Sequence, residues 1–218
     1  MSPLSETIYR TSSFVGSNAK ADRKKYGQFF TSESIAVFMA AMFHIDMEKK
    51  SLKILDAGAG SGILSVALLS RIRESGYSGL IELVCYENDE KVLGVLAKNL
   101  ASIRDHDFTF EIRGENYITS QDFEHSSSFF EQKEPETYDL IIGNPPYKKI
   151  PKDAPEATHM EDVCYGAPNL YFLFWAMGIH NLKEGGELVY VIPRSWTSGT
   201  YFDRFRKYML SHCVITDI

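Results

Sequence analysis

A polar residue stands at the end of an apolar run and is followed by two prolines and a tyrosine. The run Leu140-Ile141-Ile142-Gly143 leads into Asn144-Pro145-Pro146-Tyr147. Prolines lack the amide hydrogen that a β-ladder needs, so the sequence predicts a strand that ends at Asn144. The Asn144 side-chain oxygen and the Pro145 carbonyl, which the two proline rings hold rigidly, could accept hydrogen bonds from one NH2 group. Two acceptors would favour a pyramidal nitrogen whose lone pair points at an electrophile, and such positioning lowers a barrier.

Tyr147 adds a flat face on which a planar group can stack, a contact worth roughly 1–3 kcal/mol per base in nucleic-acid complexes. Stacking requires the ring and not the hydroxyl. The exocyclic amine of adenine fits this chemistry, because its lone pair is delocalised into the ring. In a duplex that amine is buried, so the base must be flipped out before it can react. A Pro-Pro turn that only ends a strand would explain the prolines but not Asn144 and Tyr147.

A second group of residues forms a glycine-rich turn after residues 53–56, which are predicted to form a strand. Gly58, Gly60 and Gly62 allow a tight turn and a close approach of a ligand to the backbone. A dinucleotide-binding turn would need glycine at Ile63, and no phosphate-loop lysine follows. The turn therefore favours a ligand without a pyrophosphate, such as S-adenosylmethionine. A tight strand-to-helix turn with no ligand is the alternative.

Glu87 follows residues 81–86, which are predicted to form the next strand. Two carboxylate oxygens at a strand end can accept hydrogen bonds from both hydroxyls of a ribose. The alternative is a surface glutamate that caps the following helix. Together with the glycine turn, the ribose role is favoured.

Strands alternate with helices along the chain, which predicts an α/β fold with a mostly parallel sheet. The predicted strands are 53–56, 81–86, 108–113, 138–142 and 187–192, with a further strand opening at 214–218. The predicted helices are 32–43, 63–73, 90–103, 169–182 and 201–210. Because ligands bind at the carboxyl ends of such strands, the glycine turn, Glu87, the turn near Asn116 and the Asn144 motif are expected to meet at one edge.

The connecting segments are predicted from their polarity and their glycines. Residues 1–25 are read as an arm or loop, and 120–136 and 148–168 as loops. Thr31 or Ser32 is expected to cap the helix 32–43, whose buried face would include Ile35, Val37, Phe38, Met39, Met42 and Phe43. Gly185-Gly186 is expected to break the helix that precedes it.

The composition predicts one globular domain in a reducing cytoplasm. The chain has 218 residues, of which 44% are hydrophobic, enough for a sizeable core. Its longest apolar run, 170–179, is too short to span a bilayer, and its three distant cysteines suggest neither a metal site nor a disulfide framework. A net charge of −6 argues against strong DNA binding by this chain alone. Lys20, Arg23, Lys24 and Lys25 form either a local basic patch or a solvated turn.

These motifs resemble those of the gamma-class DNA adenine-N6 methyltransferases of restriction–modification systems. Asn144-Pro145-Pro146-Tyr147 resembles the catalytic tetrad of that family, and residues 56–62 resemble its cofactor loop. The segment 26–31 looks like the one that contacts the methionine end of the cofactor. This segment precedes the glycine loop in the chain, which is the order of motifs in the gamma class. Residues 183–196 are also similar to family sequence behind the catalytic strand.

The resemblance implies a class I S-adenosylmethionine-dependent methyltransferase fold, Rossmann-like, with incomplete C-terminal strands. It implies a catalytic domain at 26–218 after the arm 1–25, truncated before a target-recognition domain. Double-stranded DNA is the expected partner, with fused or associated restriction and target-recognition domains. The implied catalytic residues are Asn144, Pro145, Pro146 and Tyr147; the implied cofactor-binding residues are Thr31, Asp56, Ala57, Gly58, Gly60, Gly62, Glu87, Asn88, Asn116 and Tyr117.

The sequence departs from the family pattern at three places. Ser32 replaces a proline, and Asn116-Tyr117 stands where the family has Asp-Phe, although Glu115 is an alternative equivalent. The chain also stops at Ile218, before the closing hairpin of the family's sheet.

Three other functions compete: a protein glutamine methyltransferase, whose acceptor is also a planar NH2 group, an RNA base methyltransferase, and an inactive remnant that only binds cofactor.

Overall fold

The computed structural model describes residues 2–17, 30–123, 135–164 and 166–218. Within these residues the centre of the protein is a sheet of five parallel strands in the order β3-β2-β1-β4-β5. The strands are β1 (Ser51–Ala57), β2 (Leu80–Tyr86), β3 (Phe108–Arg113), β4 (Tyr138–Gly143) and β5 (Leu182–Tyr190). The helices are α1 (Pro3–Ser17), α2 (Glu33–Ala41), α3 (Ile63–Glu74), α4 (Glu90–Ala101), α5 (Pro155–His159), α6 (Leu170–His180) and α7 (Asp203–His212).

Both faces of the sheet are covered, which is why its central strands are mostly apolar. Every residue of β4 is buried. Residues of α1 to α4 form one hydrophobic cluster with one face, and residues of α5 to α7 form a second cluster with the other. The connections change direction between β1 and β4, which are neighbours in the sheet. Ligands bind at such a switch point in open α/β sheets, and the glycine turn and Asn144 lie on its two sides.

The reading of residues 1–25 as an arm or loop was wrong for Pro3–Ser17, which is helical. This helix packs against α3 and α4. Its buried residues are Leu4, Thr7 and Thr11, and the Thr11 hydroxyl donates to the Thr7 carbonyl at 2.8 Å. Because threonines make up most of the buried stripe, the sequence shows little of the apolar periodicity that predicts a helix. The basic residues Lys20, Arg23, Lys24 and Lys25 and the segment 26–29 lie outside the described residues.

The helix predicted at 32–43 is present as α2, but of the six side chains predicted to be buried only those of Met39 and Phe43 are buried. Ser32 is the N-cap and accepts a hydrogen bond from the Ile35 amide at 3.4 Å. The helix buries Ala36, Met39 and Ala40, while Phe38 remains 66% exposed. Apolar residues occur on every side of this helix, so their spacing alone could not identify the side that packs.

Three differences concern the C-terminal half. The predicted loop 148–168 contains α5, and Lys149 forms an antiparallel bridge with Asn169. Gly185-Gly186 does not separate a helix from a strand but lies within β5, where the register against β4 shifts. Gly185 has φ +72°, a conformation that favours glycine. Residues 214–218 form no strand in the structure, since no described strand lies beside them to supply hydrogen bonds.

Among the described residues, no helix is both long and apolar enough to cross a membrane. The same residues contain no group of three or more His, Cys, Asp or Glu side chains arranged to hold a metal ion.

Candidate active site

The carboxyl ends of β1 to β4 surround a cleft of about 210 Å³. Most of the predicted site residues line it: Gly58, Gly60, Glu87, Asn88, Asn116, Tyr117, Asn144, Pro145, Pro146 and Tyr147. Thr31, Asp56, Ala57 and Gly62 do not. Phe30, which also lines the cleft, belongs to the segment 26–31 that was expected to contact the methionine end of the cofactor, and Glu115 had been considered only as an alternative. Five further lining residues were not predicted: Tyr86, Lys148, Glu156, Leu170 and Phe174.

The glycine turn is tied to the neighbouring strand. The amides of Gly58 and Ala59 donate to the carbonyl of Tyr86, the last residue of β2, at 2.8 and 2.9 Å. Gly58 and Gly60 have φ values of +74° and +57°, which side chains other than that of glycine rarely adopt. The turn therefore presents bare backbone to the cleft.

Glu87 connects this turn to the end of β2. Its carboxylate accepts hydrogen bonds from the Gly60 amide and from the Asp89 amide, both at 2.9 Å. Burial raises the pKa of the Glu87 carboxyl, and the backbone hydrogen bonds from Asp89 and Gly60 oppose that rise. The helix-capping role belongs to Asp89, whose side chain accepts from the Lys91 amide at the start of α4.

Asp56, Ala57 and Gly62 support the turn from outside the cleft. Asp56 is fully buried and accepts a 2.6 Å hydrogen bond from the Ser65 hydroxyl, and burial raises its pKa to about 7. A Cβ atom at Gly62 would lie 2.9 Å from the Leu96 side chain, so a glycine here lets the turn pack against α4. The three glycines of the motif thus have different surroundings.

Asn116 lies at the β3 end of the cleft. Its side-chain oxygen accepts hydrogen bonds from the amides of Ile118 and Thr119, at 3.0 and 3.2 Å. Its side-chain nitrogen donates to the Glu156 carboxylate at 2.7 Å. Glu156 belongs to α5, in the segment after Tyr147, and its sequence neighbours give no signal that it reaches this cleft.

Aromatic rings form the wall beside Asn116. The Tyr117 ring lies 5.0 Å from the Tyr86 ring and 5.3 Å from the Phe174 ring, measured between centroids. The Tyr117 hydroxyl donates to the Asn181 side-chain oxygen at 2.8 Å. The buried hydroxyl thus has a partner, and the ring is held with its neighbours in one apolar surface.

Asn144 lies at the other side of the cleft, between two hydroxyl groups. Its side-chain nitrogen donates to the Thr31 hydroxyl at 3.2 Å, which places Thr31 behind Asn144 although it does not line the cleft. The Tyr147 hydroxyl is 2.7 Å from both the Asn144 side-chain oxygen and the Val191 carbonyl. One hydroxyl hydrogen can serve only one of these acceptors at a time. Burial raises the pKa of Tyr147 to about 12, so the hydroxyl keeps its hydrogen at neutral pH.

Comparison with known proteins gives the family. The model of the Eco57I restriction-modification methylase matches residues 62–218, which is more than half of the chain. The chain belongs to the Eco57I restriction-modification methylase family. The predicted membership in a restriction–modification methylase family is thereby confirmed.

Two curated relatives of this Eco57I-family chain align with nearly all of it. The type II methyltransferase M.PstI of Providencia stuartii is 35% identical over 222 residues, which cover 99% of this chain and 43% of that protein. M.BsuBI of Bacillus subtilis is 33% identical over 218 residues, covering 97% of this chain and 42% of that protein. The chain thus spans less than half the length of these relatives.

Solved structures confirm the predicted fold class for this Eco57I-family chain. A Listeria monocytogenes protein assigned to the class I S-adenosylmethionine-dependent methyltransferases superposes with a TM-score of 0.65 and 18% identity, covering 84% of this chain and 52% of that one. The methyltransferase subunit of a type I restriction–modification system from Streptococcus thermophilus gives a TM-score of 0.60, also at 18% identity. The superposition covers 84% of this chain and 38% of that one. The fold is therefore that of class I S-adenosylmethionine-dependent methyltransferases.

Proposed function

We propose that this chain is the catalytic part of a DNA methyltransferase that transfers a methyl group from S-adenosylmethionine to the N6 amine of a flipped-out adenine. The observation that carries the proposal is the position of Asn144-Pro145-Pro146-Tyr147. These residues line one side of the cleft at the switch point, and Gly58, Gly60 and Glu87 line another. One cleft thereby brings two acceptors for an amine next to a turn suited to a nucleoside.

The residues around the turn fit the cofactor. Glu87 offers carboxylate oxygens to the ribose hydroxyls, and the bare backbone at Gly58 and Gly60 allows close approach of the ligand. Asn116 and Tyr117 are assigned to the adenine end, and Thr31 to the methionine end. When bound, the cofactor supplies an electrophilic methyl group on a sulfonium. Asp56, Ala57 and Gly62 hold the turn from behind.

The target amine is assigned to Asn144 and Pro145. The Asn144 side-chain oxygen and the Pro145 carbonyl accept its two hydrogens, and Tyr147 stacks on the base. When the Tyr147 hydroxyl donates to the Val191 carbonyl, its bond to the Asn144 oxygen is released and that oxygen can accept from the amine. The protein's task is positioning, which contributes several kcal/mol in general.

DNA as the substrate is supported by the names of the relatives, which are type II methyltransferases. The catalytic domain at 26–218, a separate target-recognition domain and an associated nuclease stay predictions.

Methyl transfer and cofactor binding test the proposal. The complete gene product that contains these residues is incubated with labelled S-adenosylmethionine and unmethylated duplex DNA of mixed sequence, and the DNA is digested to nucleosides. We expect labelled N6-methyldeoxyadenosine, and heat on titration with the cofactor or with S-adenosylhomocysteine. Labelled methylcytosine would refute the substrate assignment. A folded sample that shows neither heat nor a thermal shift would refute the cofactor assignment.

A protein glutamine methyltransferase is the second candidate. The release factor glutamine methyltransferase of Fusobacterium nucleatum is 30% identical over 141 residues, covering 65% of this chain and 34% of that protein. A glutamine amide is also a planar NH2 group, so Asn144 and Pro145 could serve either acceptor. Release factor and RNA added to the same assay should remain unlabelled; labelled glutamine or RNA in place of DNA would favour a rival function. Cofactor binding without transfer to any acceptor would indicate an inactive remnant.

Tyr147→Phe is expected to lower kcat for methyl transfer by about 5-fold, the equivalent of one ordinary hydrogen bond of about 1 kcal/mol. The sequence alone suggested that the hydroxyl is dispensable, but in the structure it lies between Asn144 and the Val191 carbonyl. Cofactor affinity should be unchanged. Tyr201→Phe is the matched control, because its hydroxyl donates to the Ala167 carbonyl outside the cleft. Equal kcat values for Tyr147→Phe and the unmodified protein would show that the ring alone matters.

A further inference from the structure

A carboxylate and an amide from distant parts of the sequence meet at the β3 end of the cleft. Asn116 follows β3 and Glu156 lies in α5, and their side chains are joined by the 2.7 Å hydrogen bond. Both residues line the cleft and both are partly buried. Glu115 also lines the cleft, but it is exposed.

The orientation of the Asn116 amide is determined by its partners. Two backbone amides, those of Ile118 and Thr119, point at one end of the side chain, and only an oxygen can accept from them. The other end is therefore the NH2 group, which carries two hydrogens. One of them goes to Glu156. The second hydrogen of Asn116 and the remaining lone pairs of Glu156 then form a donor and an acceptor side by side.

We propose that Glu156 and Asn116 together recognise the edge of the cofactor adenine that carries N6 and N1. Glu156 accepts a hydrogen bond from the N6 amine, and Asn116 donates one to N1. This edge of adenine presents a donor beside an acceptor, which is the complement of what the two side chains offer. The inference rests on the proposed function, because it takes the ligand to be S-adenosylmethionine.

Two features of the surroundings support this assignment. The wall formed by Tyr86, Tyr117 and Phe174 lines the same cleft and provides an apolar surface for a purine. Glu87, the residue assigned to the ribose, follows β2, which is the strand next to β3 in the sheet. A nucleoside whose ribose lies at Glu87 would therefore direct its base toward Asn116 and Glu156. Glu156 is a specificity-determining residue in this arrangement.

Two ligands that differ only at this edge test the proposal. S-adenosylhomocysteine carries an amine at position 6 and an acceptor at N1, whereas S-inosylhomocysteine carries an oxygen at position 6 and a hydrogen on N1. In calorimetric titrations of the complete protein, we expect S-adenosylhomocysteine to bind at least about 10-fold more tightly, since a hydrogen bond to a charged acceptor is at stake. Glu156→Gln should weaken the binding of S-adenosylhomocysteine by about 10-fold. It should also bring the affinities of the two ligands closer together, because the glutamine amide can donate to the oxygen at position 6 of S-inosylhomocysteine.

Glu161→Gln is the matched control. Glu161 lies just after α5 in the same segment, is exposed and does not line the cleft, so both affinities should be unchanged. Thermal unfolding should show that Glu156→Gln is folded.

Two results would overturn the inference while leaving the cofactor assignment intact. One is equal binding of both ligands by the unmodified protein. The other is that the affinities of the two ligands come closer together in Glu115→Gln but not in Glu156→Gln. A folded protein that does not bind S-adenosylhomocysteine at all would contradict the proposed function itself, and with it the inference.

Discussion

Replacing Asn144 with alanine is expected to abolish nearly all methyl transfer and to leave cofactor binding almost unchanged. Asn144 stands at the tip of β4, in the cleft and not in the glycine turn. Its assigned role is to accept a hydrogen of the target amine, so its contribution belongs to the transition state. Loss of one positioned group of this kind lowers kcat by roughly 100- to 1000-fold. The measurement is single-turnover transfer of a labelled methyl group to DNA.

The same variant should remain folded. The hydroxyl of Tyr147 loses one acceptor but keeps the Val191 carbonyl at 2.7 Å, so no buried donor is left without a partner there. Calorimetry with S-adenosylhomocysteine and a thermal unfolding curve serve as controls. A rate close to that of the unmodified protein would refute the assigned mechanism. A loss of rate accompanied by an equal loss of cofactor affinity would place Asn144 in the cofactor site.

The part of the site that could be predicted from sequence consists of residues that directly follow a strand. Asn144 and Glu87 each come next after a run of apolar residues. Because strand ends in a parallel sheet meet at one edge, their proximity follows from the order of elements alone. The chemistry of each residue type then limits what the shared edge can bind.

The roles within the glycine turn could not be separated in this way. Gly58, Gly60 and Gly62 are evenly spaced and look alike in sequence, yet the first two line the cleft and the third packs against Leu96. Asp56 likewise belongs to the motif but points to Ser65 in the interior. Only the packing of α3 and α4 distinguishes a residue that meets a ligand from one that supports it.

Glu156 and Phe174 are cleft residues that could not be predicted from the sequence. Both line the cleft, yet they come from a charge-rich segment and an apolar helix, where no local pattern distinguishes them from their neighbours. Their positions depend on how the segment after Tyr147 returns toward β3. That path is determined by long-range contacts, such as the hydrogen bond between Asn116 and Glu156, which a sequence does not display.

Glu87→Ala is expected to weaken cofactor binding by roughly 100-fold, since charged hydrogen bonds to the ribose are worth about 1.5–3 kcal/mol each. It should also lower the free energy of unfolding by about 1–3 kcal/mol, because the Gly60 and Asp89 amides lose a buried acceptor. The sequence suggested only the first effect. Glu87→Gln separates the effect on cofactor binding from the effect on stability. The glutamine side-chain oxygen can still accept a hydrogen bond from one of these amides, while the charge is gone.

The pH dependence of cofactor affinity distinguishes the ribose role from a purely structural one. Burial raises the pKa of the Glu87 carboxyl above its usual value. Ribose hydroxyls that donate to the carboxylate favour its charged form, so binding releases protons and affinity falls as the pH is lowered through that raised pKa. Glu87→Gln should lack this part of the pH dependence, whereas Glu90→Gln, a change at an exposed residue of α4, should retain it. If the affinity of Glu87→Gln equals that of the unmodified protein at every pH, Glu87 holds the turn and does not bind the ribose.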